Sequence, residues 1–185
     1  DVVLCDHDLP TFDASGALAL LRERFATLPV VIVTGTLGDA AAAELVGLIA
    51  NAKKAPRAVL IHGADRSAVY DLCQRVVKKV IESDDETLNV SRLTESQVTG
   101  SPGRIFEEFS SISMFGGNRV IWISAAGDGL AKSMEPVLAS ETDGNLILID
   151  AEALTKASRL RKLFETHPRA ASAALYEESP QELRL

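Results

Sequence analysis

Two kinds of hydrophobic pattern alternate along this chain. Short, continuous apolar runs occupy positions 2–5, 30–33, 59–61, 120–123 (after Arg119) and 146–149. Runs of that length predict strands, and β-branched runs such as Val30-Val31-Ile32-Val33 suit parallel strands buried on both faces. Positions 88–93 alternate as a strand does, and 171–176 reads as a last, weaker one. Between the runs, apolar residues recur every three or four positions. That period predicts helices over about 15–26, 39–53, 66–82, 102–112, 130–138 and 155–166. Thr94-Glu95-Ser96-Gln97 has the form of a capping box, and Ser101-Pro102 that of a helix start with proline at the first position. The helix over 130–138 must tolerate Pro136. Strands alternating with helices predict an α/β fold: a largely parallel sheet with helices on both faces, as one continuous sheet or two abutting ones.

Composition narrows the class. The chain has 185 residues, 46% of them apolar and 24% charged, which describes a globular protein able to bury a core without staples. Cys5 and Cys73 are too few for a disulfide scaffold, and no Cys/His cluster suggests zinc, so neither metal nor cofactor is expected. No apolar run is long enough to span a membrane and no signal peptide is visible, so a reducing cytoplasm is expected. A net charge of −7 argues against gripping phosphate backbones as the main task. The acidity is uneven. Positions 1–47 hold two basic and seven acidic side chains, which suggests two pieces, 1–47 and 48–185.

In open α/β sheets, chemistry gathers at the carboxyl ends of strands. Asp6 and Asp8 follow the first run and Thr34 ends the second. The stretches Asp1-Val2-Val3-Leu4-Cys5-Asp6-His7-Asp8-Leu9-Pro10 and Leu28-Pro29-Val30-Val31-Ile32-Val33-Thr34-Gly35-Thr36 resemble the middle of a response-regulator receiver domain. The resemblance implies half of a flavodoxin-like receiver, with Asp6 as phosphoacceptor, Asp8 lending a carbonyl to magnesium and Thr34 sensing the phosphoryl group. A working receiver also needs an earlier acidic pair and a later lysine strand, and these stretches supply neither. Without the metal, transfer to a carboxylate loses its main charge stabilisation. The acids then read as strand-end residues, and a phosphorelay receiver is the alternative function.

Gly63 after a strand invites comparison with a phosphate-binding loop, which needs glycine, lysine and a hydroxyl residue at 68, 69 and 70. The chain has Ala68, Val69 and Tyr70 there, so nucleotide hydrolysis is not expected. Asp65 and Ser67 read as helix caps. His7, His62 and His167 have no Ser or Cys partner at a strand–turn–helix elbow and read as hydrogen-bonded residues. Cys73 falls on an apolar helix face as a small core residue. No catalytic residue is assigned.

What remains is Ser111-Ile112-Ser113-Met114-Phe115-Gly116-Gly117-Asn118-Arg119, a large apolar pair before a Gly-Gly turn. Met114 and Phe115 either fold into the core or protrude as a compact anchor for a partner's pocket. Together with Ala58-Val59-Leu60-Ile61-His62-Gly63-Ala64-Asp65-Arg66 and Leu160-Arg161-Lys162-Leu163-Phe164-Glu165, this stretch resembles the N-terminal domain of the DNA polymerase III delta subunit over about residues 50–180. The resemblance implies an AAA+-like domain of P-loop-like fold without a working nucleotide loop. It also implies binding of the replication sliding clamp through Met114 and Phe115, with Ile112 beside them, and other clamp-loader subunits as neighbours. Lys156, Arg159, Arg161 and Lys162 form a basic helix face, which is either simply solvated or touches DNA indirectly or a loader neighbour. A hybrid chain with no retained activity is a further reading.

Overall fold

A computed structural model of the chain describes residues 3–6, 30–34, 47, 56–81, 89–112, 119–140 and 145–176. Among the described residues seven strands form one parallel sheet: β1 (Val3–Asp6), β2 (Val30–Thr34), β3 (Ala58–Gly63), β4 (Val90–Thr94), β5 (Val120–Ala126), β6 (Leu146–Glu152) and β7 (Ala170–Leu175). Their spatial order is β1-β2-β7-β3-β6-β5-β4. The expected parallel sheet is thus a single continuous one. The helices predicted over 15–26 and 39–53 fall outside the described residues, apart from helical Gly47.

Both faces of the sheet are covered, as the continuous apolar strands require. On one face lies α1 (Arg66–Val80), with Leu72, Cys73, Val76 and Val77 packed on Val59, Ile61, Trp122 and Leu148. The other face carries α2 (Glu95–Gly100), α3 (Pro102–Ser110), α4 (Ala131–Ala139) and α5 (Arg159–Thr166). Val98, Ile105, Phe109, Met134, Leu160 and Phe164 close there over Leu60, Ile121, Ile123, Ile147 and Ile149. Alternate residues of β3 to β7 therefore serve two separate cores.

The helix boundaries follow their caps. Asp65 caps α1, its Oδ1 accepting from the backbone N–H of Ser67 at 2.8 Å and of Ala68 at 3.1 Å. The capping box at Thr94 and Gln97 forms as expected and starts α2. Pro102 takes the first turn of α3, where its missing N–H costs nothing. Pro136 is accommodated inside α4, which a short 3₁₀ turn, Asp128–Leu130, precedes.

Two expectations need correction. The helix predicted from position 155 starts at Arg159, because Ser158 turns back on Thr155 and its hydroxyl then accepts from the N–H of Arg161. Asp128 adds a second acceptor for that helix end, taking the hydroxyl of Ser158 and the N–H of Leu160. These bonds, the one from Ser158 foremost, hold the Asp128 carboxyl below its ordinary pKa. The last strand, expected to be weak, is central in the sheet. β7 lies between β2 and β3 and is buried throughout.

Close packing of β7 explains Gly63. A Cβ at Gly63 would lie 2.8 Å from the carbonyl oxygen of Leu175 and 3.0 Å from its Cβ. The carbonyl belongs to the sheet backbone and cannot swing aside. Gly63→Ala is expected to lower stability by about 1–3 kcal/mol, the usual cost of overpacking, as read by urea denaturation.

Candidate functional site

Parallel strands all point one way, so the sheet has a carboxyl end and an amino end, and the candidate residues divide between them. At the carboxyl end, the turn from β3 into α1 is where a phosphate-binding loop would lie. Here the first free N–H groups of α1 are already taken by the Asp65 carboxylate. An anion in that place repels phosphate, and Gly63 is explained by packing, so the local chemistry agrees with the missing lysine.

Asp6 ends β1 and Thr34 ends β2, and the two strands pair in parallel with Asp6 opposite Val33. Asp8 and His7 lie outside the described residues. Among the described residues no three His, Cys, Asp or Glu side chains gather as a metal site.

The remaining titratable candidates are structural. Cys73 is buried, and burial, reinforced by Asp150, pushes its thiol well above the ordinary value, which leaves it unreactive. His167 caps the end of α5, and its Nδ1 accepts from the N–H of Arg169 at 3.2 Å. Burial, then the Arg169 charge, lowers its pKa. His62 departs from the expectation of a hydrogen-bonded histidine. It is 3% exposed, and its Nε2 has no hydrogen-bond partner among the described residues. Burial first, and the Arg161 cation second, lower its pKa to about 4 against the opposing pull of Glu165, so it is neutral at pH 7.

The basic helix face separates into two parts. Lys156, Arg159 and Lys162 are exposed, with Lys156 lying before the helix. Arg161 turns inward. Its Nε donates to Glu165 at 2.6 Å and a terminal nitrogen to the carbonyl of Leu154 at 3.0 Å. Burial works against the charge, but the bonds to Glu165 and Tyr176 outweigh it and raise the pKa. Arg161 braces α5 against the end of β7 and does not belong to the exposed face.

The amino end of the sheet holds the most organised surface feature. Residues 113–118, Met114 and Phe115 among them, lie outside the described residues, but both flanks are described. Ile112 leaves the end of α3 with 90% of its surface exposed. Arg119 leads into β5 at the other flank, and Asn145 leads into β6 beside it. The Asn145 side-chain amide donates to the carbonyl of Glu108 at 3.0 Å and to that of Ser111 at 2.7 Å. Its backbone N–H donates to the carbonyl of Phe109 at 2.9 Å. Arg119 pairs with Glu108 at 2.8 Å and also reaches the hydroxyl of Ser111, and its carbonyl accepts from the N–H of Leu146 at 3.1 Å. These bonds satisfy the last carbonyls of α3 and hold the two flanks to the same strand ends.

Sequence reading missed Glu108 and Asn145. The available signal was a polar residue directly before each of two apolar strands, Arg119 before β5 and Asn145 before β6. Such positions select for side chains that bond a neighbouring segment.

Comparison with known proteins bears on this geometry. The family model described as DNA polymerase III, delta subunit, matches residues 60–173. Among curated proteins none matches. A DNA polymerase III gamma subunit-related protein from Thermotoga maritima is structurally similar, with a TM-score of 0.50 and 13% identity. The match covers 77% of this chain and 47% of that one, so the chain spans about half the length of that protein. At this identity the likeness is one of fold alone, a parallel α/β sheet covered by helices. The receiver resemblance finds no support in these comparisons, and β1 and β2, which carry part of it, extend the same parallel sheet.

Proposed function

The chain belongs to the DNA polymerase III delta subunit family, and from that membership we propose that it grips the replication sliding clamp as part of a clamp loader. That family is one of non-catalytic clamp-loader subunits. The reading gives this chain no chemistry of its own and makes Ile112, Met114 and Phe115 the anchor that enters an apolar pocket on the clamp. Residues 48–185 carry the role, with 1–47 an added segment at the sheet edge.

One observation supports the reading above the rest. A bulky aliphatic residue, Ile112, stands 90% exposed on a base braced by Asn145 and the Glu108–Arg119 ion pair. A braced base reduces the ordering cost that an anchoring segment incurs on binding. Large apolar and aromatic side chains in a small patch supply most of the binding energy in such contacts. The exposed cations Lys156, Arg159 and Lys162 are assigned to a loader neighbour or an indirect DNA contact, working in the cytoplasm.

The test is affinity of the full chain for purified sliding clamp. Met114→Ala/Phe115→Ala is expected to weaken binding by about tenfold or more, the loss of one hot spot. Unchanged affinity would remove the anchor.

A further inference from the structure

Two buried polar atoms have no hydrogen-bond partner among the described residues: Nε2 of His62 and Oγ of Ser172. The two residues are 3% and 0% exposed, so bulk solvent reaches neither atom. A polar group left in that state destabilises the fold, and nearly every such group in a native protein finds a partner. The sheet register puts these two together. β3 and β7 pair with Leu60 opposite Ser172 and His62 opposite Ala174. Leu60 faces the core under α5, whereas Val59 and Ile61 face the core under α1. Side chains alternate along a strand, so His62 shares the face of Leu60, and Ser172, the register partner of Leu60, shares it too.

His62 and Ser172 are therefore diagonal neighbours on adjacent strands. Two steps along a strand and one strand across separate their Cβ atoms by about 8 Å. The imidazole carries Nε2 several ångströms beyond its own Cβ, and a water bonded at about 2.8 Å on each side spans what is left. β7 leaves room for it, because only Ala170 and Ala174 accompany Ser172 on this face of the strand. The charged groups that act on His62, Arg161 and Glu165, are bonded to each other at 2.6 Å and supply neither orphan. A buried water needs at least two polar partners, and this place offers two. A neutral imidazole Nε2 either donates or accepts, a hydroxyl does both, and water matches either arrangement.

We infer that one internal water is bound between His62 and Ser172 and stitches β7 to β3. The stitch lies at the seam where β2, and β1 beyond it, join the rest of the sheet through β7. It is independent of the clamp reading.

Waters held inside a protein for longer than its tumbling time contribute to the ¹⁷O relaxation dispersion of the solvent, and proton exchange with side chains does not enter that signal. The dispersion is measured at pH 7 on the full chain and on two variants. His62→Leu fills the place with an apolar side chain from β3, and Ser172→Val does so from β7. Each is expected to lose the amplitude of a single water, with circular dichroism unchanged, whereas the surface change Phe106→Ala keeps it. Leucine at position 62 replaces the water along with the imidazole, so the loss of signal does not require a loss of stability at neutral pH. Either folded variant decides the matter alone. Full amplitude in a folded variant, or no long-lived water in the unaltered chain, would overturn the assignment. None of these readouts involves residues 112–119, so their failure is distinct from loss of clamp binding.

Discussion

Acidification from pH 6.5 to pH 4 is expected to cost the folded chain about 3 kcal/mol through His62 alone. The side chain sits at the end of β3 and is 3% exposed. Burial is the main cause of its lowered pKa of about 4, with the Arg161 cation second. The unfolded chain takes up a proton on this histidine near its ordinary value of 6.5, and the folded chain resists until about pH 4. The unfolded state therefore binds more protons throughout that window, so stability is complete above it and is lost as the pH falls. His62→Leu removes the group and also replaces a buried Nε2 that has no partner among the described residues. Its stability should match or exceed that of the unaltered chain at pH 7, and the gap should widen steadily toward pH 4. Asp128 and His167, whose pKa values are also lowered, act equally in both proteins and cancel in the difference. Urea denaturation at a series of pH values measures it. Parallel curves would show that His62 titrates alike in both states.

Phe109→Ala should destabilise the chain by about 3–5 kcal/mol, a large part of the 5–15 kcal/mol that holds a domain together. Phe109 is fully buried in the core beneath α3, and its ring lies 6.4 Å from that of Phe106. Truncation leaves a cavity under the last turn of the helix. The same turn supplies the carbonyls of Phe109 and Glu108 that receive Asn145. Loss of packing there should loosen the base from which Ile112 projects, so clamp affinity should fall along with stability. Phe106→Ala is the control. That side chain is 40% exposed, and its truncation should cost about 1 kcal/mol or less. Comparable losses in the two variants would place the packing of α3 elsewhere.

How much of this could be read from the chain depended on where the information lay. β3, β5 and β6 were legible because a strand covered on both faces must be apolar at every position. The capping box at Thr94 was legible because all its bonding groups lie within four residues. β7 was not. Its residues Ala170–Leu175 are mostly alanine, a weak hydrophobic signal, yet the strand is central because small side chains suit the close approach of β3 at Gly63. The start of α5 was misplaced by several residues because part of its cap, Asp128, comes from another part of the chain. The base of the candidate anchor failed to show for the same reason. Asn145 stands 34 positions from Ser111, and nothing local to either names the other. The basic face was overdrawn by one residue, since only the fold turns Arg161 toward Glu165.

The proposed grip on the clamp requires Phe115 to be open to solvent in the free chain and closed when the clamp is bound. Fluorophenylalanine placed at position 115 reports this by ¹⁹F NMR, through the shift of its resonance between H₂O and D₂O. The expected result is a full solvent shift in the free chain that vanishes on addition of purified sliding clamp. A resonance already shielded in the free chain, and unmoved by the clamp, would contradict the account.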